Sequence, residues 1–283
     1  MATIEVTGLR KSYGSREVLH GLDFTVEQGE VFALLGPNGA GKTTTVEILE
    51  GYRRRDGGAA RVLGCDPDQT GGSFRARIGI VLQSSAVYPT LTVGEMLELF
   101  AGYYPAPRDP VEVVSLVGLT EQRDNRVRTL SGGQARRLDL GLALVGDPEL
   151  IFLDEPTTGF DPEARRRAWD TVLGLRDLGK TVLLTTHYLE EAHRLADRVA
   201  ILRDGRIAAI GTPNELLSAN GSVEIRFRRA GELVVVHTDE PTRVLHEVTG
   251  EALAAGVELE GIEVRRQTLE DVYLELVREE SSE

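Results

Sequence analysis

VFALLGPNGAGKTT, residues 31–44, sets a short apolar run directly against a glycine-rich loop. An apolar strand that feeds such a loop, with a helix behind it, is the grammar of an α/β fold. The loop, Gly36 to Thr44, fits G-x-x-x-x-G-K-[ST], a phosphate-binding pattern. Gly39 and Gly41 let the backbone wrap closely around phosphates with its N–H groups inward, and the following helix adds the positive end of its dipole. Lys42 is long enough to reach β- and γ-phosphates. The Thr43 hydroxyl can ligate Mg²⁺, and Thr44 can reach an α-phosphate. The plain alternative is a chance glycine turn, but the pattern sits between an apolar strand and a helix, where its chemistry requires it.

Two later stretches fit the same chemistry. LIFLDEP carries an acid to the end of a second apolar run. Asp154 is placed to meet Mg²⁺ through water. Glu155 follows at once, is expected to point the other way, and suits a general base for an attacking water. Such a pair alone is an ordinary strand end; beside a phosphate loop it becomes informative. LSGGQ, Leu130 to Gln134, stands at a helix start. Ser131, Gly132 and Gly133 offer a hydroxyl and open backbone amides, a second anion cradle. The phosphate loop already holds its own nucleotide. The second cradle therefore takes another nucleotide, or the far side of one held by a second molecule.

Composition sets limits. The 283 residues suit one large domain, or a domain with a smaller one attached. Asp and Glu number 45 against 32 Lys and Arg, a formal charge of −13, which argues against nucleic acid and against anionic lipid. An acidic chain still binds phosphate where the local site is rich in N–H groups. Cys65, the one cysteine, excludes an internal disulfide and reads as a packing residue. No signal-like start appears, and no apolar run approaches the ~20 residues of a membrane-spanning helix. The reading predicts a cytoplasmic protein that meets a membrane only through a partner.

Alternation of Ile4 and Val6, then Val18, Leu22, Phe24 and Val26, predicts an N-terminal antiparallel β part. Residues from about 84 to 146 read as a helical insert, with Thr92 and Glu95 as a capping box and Ser131 capping a later helix. Asp161 and Pro162 open a helix that stops at Gly179, and TVLLTT is a further buried strand. Asp204-Gly205 signals a hairpin. Thr212, Pro213 and Glu215 cap a helix that closes a domain of residues 1–217. After the break SANGS, residues 218–283 read as a small α+β appendage, ending in a helix capped by Thr268 and Asp271. His20, His193, His237 and His246 read as structural or solvated.

GPNGAGKTT, LSGGQ and LIFLDEP, in this order and at these distances, resemble the ATP-binding subunit of an ABC transporter over about residues 2–216. The resemblance implies a P-loop NTPase core of ABC ATPase type, with ATP and Mg²⁺ as ligands. It places ATP against Tyr13, with Val18 flanking, and along Gly36, Asn38, Gly39, Ala40, Gly41, Lys42, Thr43 and Thr44. Thr43, Gln83 and Asp154 would hold Mg²⁺; Glu155, Lys42, His187 and Gln83 would carry the chemistry. Ser131, Gly132, Gly133 and Gln134 would touch the ATP of a partner subunit, and Gly159 and Asp161 the opposite subunit. Taken singly, Tyr13, Gln83 and His187 each have a bland structural reading, and only their joint placement favours function. Ala135 departs from the long polar residue common after LSGGQ, and Phe160 from the leucine common before Asp161.

The tail ending in TLEDVYLEL resembles the daunorubicin-resistance branch of exporters, in which the ATPase pairs with a separate multi-span membrane protein. The implied protein is a homodimeric motor, peripheral on the cytoplasmic face of the membrane, driving export of a drug-like or lipid-like molecule. Residues Gln83 to Tyr104 would meet the membrane partner, with Tyr88, Phe100, Tyr103 and Tyr104 as candidates; helix core is an equal reading for Phe100. An importer motor and a non-transport ABC ATPase are the competing readings.

Overall fold

Alternating apolar residues fold back as β1 (Ala2–Tyr13) and β2 (Arg16–Glu27), an antiparallel pair. The alternation is not strict. The pairing shifts register between Leu9 and Arg10, opposite Gly21 at φ 91°, so Leu19 and Leu22 are both fully buried while Val18 is only partly so. An extra residue in one strand flips the side chains that follow it. The computed structural model describes residues 2–69, 71–81, 88–218, 223–229, 231–266, 268, 271 and 273. They form two units, Met1–Ala208 and Ala209–Glu283.

In the first unit β3 (Val31–Leu35) leads into α1 (Lys42–Leu49), and β4 (Gly57–Val62) joins β1 in a three-stranded sheet, β2-β1-β4. After the short α2 (Gly72–Arg75) come β5 (Ile78–Val81), α3 (Val93–Ala101), α4 (Pro110–Leu116) and α5 (Gly132–Leu144). Then β6 (Leu150–Asp154), α6 (Pro162–Asp177), β7 (Thr181–Thr186), α7 (Leu189–Leu195) and β8 (Arg198–Arg203) follow, and β9 (Arg206–Gly211) spans the boundary at Ala208. The main sheet has the order β5-β6-β7-β3-β8-β9, and β5, β6, β7, β3 and β8 run parallel. Both faces of its central strands are covered, which is why VFALL and LIFL are continuous apolar runs. The core joins the two sheets: Phe24 stacks on Phe32 at 5.5 Å, beside the fully buried Leu34, Phe152 and Leu183. Each such side chain contributes roughly 1.5–3 kcal/mol on burial.

The helix ends follow their caps. Thr92 and Glu95 bond reciprocally, as do Ser131 and Gln134, and Asp161 accepts from the amides of Glu163 and Ala164. Asp204 and Gly205 both have positive φ, 45° and 70°, the two-residue turn expected between β8 and β9.

The second unit has α8 (Pro213–Ser218), β10 (Val223–Arg229), β11 (Glu232–Thr238), α9 (Pro241–Ala255) and β12 (Glu260–Arg266). The strands form an antiparallel sheet, β11-β10-β12, with Ile225 and Phe227 buried. The unit begins before the SANGS break, so α8 falls within it. Thr268 and Asp271 make the reciprocal bonds of a cap; most of LEDVYLELV lies outside the described residues. No helix among the described residues is long and apolar enough to cross a membrane.

Candidate nucleotide site

The loop from Gly36 to Gly41 turns from β3 into α1 with Gly39 at φ 85° and Gly41 at φ 106°. Glycine is required on packing grounds too. A Cβ on Gly36 would meet the Leu202 carbonyl oxygen at 2.2 Å, and one on Gly41 would meet Leu19 Cδ2 at 2.5 Å. Lys42 is buried, and its Nζ donates to the carbonyls of Gly36 and Pro37 at 2.7 and 3.1 Å. Burial pulls the Lys42 pKa down against the opposing pull of Glu155 and Asp154. Asn38, Gly39 and Thr43 are exposed, Thr44 is half-buried and Ala40 is buried.

A cleft of about 390 Å³ is lined by this loop together with Tyr13, Val18 and Glu155. Tyr13 is 42% exposed, its hydroxyl 3.4 Å from Thr44 Oγ1 and its ring 5.0 Å from the Arg53 guanidinium carbon. Lys11 Nζ also lies over the ring, at 5.8 Å, so a base would stack on this half-exposed ring in competition with the two cations. Base–aromatic stacks contribute about 1–3 kcal/mol, so Tyr13→Ala should weaken ATP affinity about 5–100-fold with little effect on turnover at saturation. A fluorescent-ATP titration measures the shift.

Asp154 closes β6, and its Oδ1 accepts from Thr185 Oγ1 at 2.5 Å across the β6–β7 register. Glu155 then turns to φ 45°, a conformation that costs a non-glycine residue energy and clusters at functional sites. Strand alternation therefore ends at Asp154 and does not set the direction of Glu155; the turn does. Thr185 holds that turn, accepting from the Glu155 amide through Oγ1 at 3.0 Å and its carbonyl at 3.2 Å. One Glu155 oxygen accepts from Thr158 at 3.1 Å; the other lies 3.2 Å from His187 Nδ1 and 3.7 Å from Lys42 Nζ. Burial works to raise the Glu155 pKa, but His187, Thr158 and Lys42 outweigh it and hold the carboxyl below the usual carboxylate range. The group is an anion at neutral pH, as a proton acceptor must be.

His187 follows β7, its ring 4.1 Å from that of Tyr188. On α7, one turn on, Glu191 is fully buried and accepts from Thr157 Oγ1 at 2.7 Å and Trp169 Nε1 at 3.0 Å. Arg136 of α5 donates to the carbonyls of Asp154 and Pro156, both at 3.2 Å. Thr158, Thr185, Glu191 and Arg136 escaped the sequence reading. A threonine in a strand or an acid in a helix carries no signal until its spatial neighbour is known.

The structure brings Tyr13, Val18, the phosphate loop, Glu155 and His187 together. It does not bring LSGGQ to the cleft. Ser131 and Gly132 are exposed at the start of α5, and Ser131 with Gly133 and Gln134 lines a separate cavity beside Phe160. Gly159, at φ 81°, and Asp161 are exposed in the loop before α6. Gln83 lies outside the described residues. Oxygen donors from Thr43 and Asp154 fit the hard cation Mg²⁺, which keeps several waters and takes few protein ligands; no cluster of three metal-ligating side chains occurs among the described residues.

Behind the phosphate loop, Glu50 is buried; burial first, then the charges of Asp154 and Glu47, push its carboxyl up to about 8. Its folded pKa exceeds the ordinary 4.5, so its contribution to stability is full below pH 4.5 and is lost as pH rises to 8. Glu50→Gln should raise the melting temperature of the nucleotide-free chain at pH 8 and leave it unchanged at pH 4.5. The gain should be on the order of a few kcal/mol. Thermal melts at the two pH values check this.

With this geometry in view, comparison with known proteins gives a consistent picture. The ABC transporter family model matches residues 19–158. The chain is 40% identical to the daunorubicin resistance ATP-binding protein DrrA3 of Streptomyces coeruleorubidus, over 96% of this chain and 95% of that protein. It is 34% identical to the linearmycin resistance ATP-binding protein LnrL of Bacillus subtilis, over 96% and 97%. It is 38% identical to the Nod factor export ATP-binding protein I of Rhizobium sp. N33, over 98% and 97%. Among solved structures, an ATP binding subunit of an ABC transporter shares the fold at TM-score 0.72 and 24% identity, covering 98% of this chain and all of that one. CbiO1 of Clostridium perfringens, part of the complex cbiONQ, matches at TM-score 0.71 and 26% identity, over 77% and 91%. Near-full-length likeness, together with a phosphate loop facing an acid pair, shows that the chain belongs to the ABC transporter family, as an ATP-binding, ATPase subunit.

Proposed function

We propose that the chain is the motor of an exporter, a homodimer that closes around two ATP molecules and drives a separate multi-span membrane subunit. The carrying observation is that the second anion cradle, at Ser131 to Gln134, lies outside the cleft that holds the phosphate loop. A cradle that cannot serve its own chain's nucleotide serves another's. Each ATP then sits between one chain's phosphate loop and its partner's LSGGQ, with Gly159 and Asp161 at the junction. The ATPase domain is taken as residues 1–217 and the appendage as 218–283. The names of relatives that cover the appendage as well, resistance to daunorubicin and linearmycin and export of Nod factor, support export of a drug-like or lipid-like molecule.

Tyr13 stacks on the base, with Val18 beside it, while the amides from Gly36 to Gly41 and the hydroxyl of Thr44 hold the phosphates. Thr43, Asp154 and Gln83 would hold Mg²⁺, which would neutralise charge on the transferring phosphoryl group. Lys42 exchanges its carbonyl partners for β- and γ-phosphate oxygens. Glu155 accepts a proton from the attacking water, and His187, already against Glu155, orients the γ-phosphate. Tyr88 and Tyr103, both more than half exposed, would meet the membrane subunit, with the motor on its cytoplasmic side.

A pull-down tests the assignment. Tagged Glu155→Gln chain, which holds ATP, is used to capture partners from native membranes solubilised with ATP and Mg²⁺. The expected partner is a multi-span membrane protein without its own ATPase motifs. Recovery of soluble partners or ribosomes alone would remove the transport reading and leave the ATPase chemistry intact.

A further inference from the structure

A cavity of about 290 Å³ lies between α5 and α6 and shares no lining residue with the nucleotide cleft among the described residues. Its walls include Leu140, Leu153, Phe160 and Ala168, and three arginines, Arg136, Arg137 and Arg167, also line it. Arg136 is held by Asp139 at 3.9 Å and by the carbonyls of Asp154 and Pro156, and the other two arginines differ from it and from each other. Arg167 is paired with Glu163 at 2.5 Å. Arg137 donates to the carbonyls of Val117 and Gly118, at 3.5 and 2.6 Å, and no carboxylate pairs with it among the described residues. Burial, and then the like charge of Arg167, hold its pKa below the ordinary arginine range. A charge in that position lacks a counter-ion, and the chain as a whole is acidic, so the excess cation is local.

We propose that this cavity binds a small amphipathic anion, an apolar body of one or two rings or a short chain ending in a carboxylate or sulfonate. The apolar part fills the space between Leu140, Leu153 and Ala168, and the anion meets Arg137 and Arg167. Planar, forked guanidinium groups suit carboxylate and sulfonate oxygens. The volume is at the lower end of small-molecule pockets. The same cavity touches Ser131, Gly133 and Gln134 of LSGGQ and Phe160 of the loop before Asp161. An occupant bridges α5 to α6 and holds the second cradle fixed against the core, which slows ATP turnover. This last step rests on the proposed two-chain mechanism; the binding does not.

The test uses 8-anilinonaphthalene-1-sulfonate as probe, with the full chain saturated in ADP so that the nucleotide cleft is filled. Saturable fluorescence binding is expected, weakened about tenfold or more by Ala168→Phe, which fills the space, and by Arg167→Gln, which removes an exposed cation and leaves the fold intact. The probe should also slow steady-state ATPase of the native chain and leave Ala168→Phe unaffected at the same concentration. Absence of saturable binding, or equal affinity in Arg167→Gln and the native chain, overturns the site. Probe binding that both variants lose, without any change in native ATPase, keeps the site and overturns its coupling to turnover. A chain with no ATPase at all sinks the two-chain mechanism while the fluorescence titration still reads the site.

Discussion

Glu155→Gln should bind ATP with near-native affinity and turn it over about 10²–10⁴-fold more slowly, the usual cost of losing a general base. An amide oxygen still accepts from Thr158, and the Glu155 amide still donates to Thr185, so the strained turn at φ 45° survives. The amide cannot take a proton from water. Lys42 keeps its bonds to Gly36 and Pro37, and the phosphate loop is untouched. Single-turnover phosphate release, with ATP affinity measured in parallel, separates the two effects. A rate within about threefold of native would place the base elsewhere.

Glu191→Ala should lower stability by about 2–5 kcal/mol. The side chain is fully buried, and one oxygen serves both the Thr157 hydroxyl and the Trp169 indole N–H. Truncation leaves two buried donors without an acceptor and opens a void beside Trp169. These costs add, because neither donor reaches solvent. For a chain of this size the melting temperature should fall by about 10 °C. Glu191→Gln retains an acceptor oxygen and should recover most of the loss. Circular dichroism melts of the two variants check this, and a fall below about 2 °C in Glu191→Ala would show that the cluster is not stabilising.

These two residues also mark what could be read from sequence. The position of Glu155 beside the phosphate loop was legible because phosphate chemistry favours particular residue types in contiguous positions: glycines where backbone must pass close to Leu202 and Leu19, a lysine behind them, and acids at a strand end. Glu191 was not, since its partners Thr157 and Trp169 lie 34 and 22 residues away and meet it only in the folded chain. Thr185 is similar: it becomes the partner of Asp154 only through the parallel register of β6 and β7. Periodicity located the strands but misjudged single positions where the backbone departs from regularity. Gly21 shifts the β1–β2 register and buries Leu19, and the positive φ of Glu155 replaces strand alternation with a turn. Phe160 read as a departure from family pattern; its place in the wall of the α5–α6 cavity gives it a setting.

In the proposed mechanism ATP is held between the phosphate loop of one chain and the LSGGQ of another. Sedimentation of the Glu155→Gln chain with ATP and Mg²⁺, with and without Ser131→Arg, tests it most directly. The expected result is a monomer without nucleotide, a dimer with ATP, and a return to monomer when Ser131→Arg is added although ATP still binds. An ATP-dependent dimer that persists with Ser131→Arg, or no dimer at all in Glu155→Gln, would contradict it.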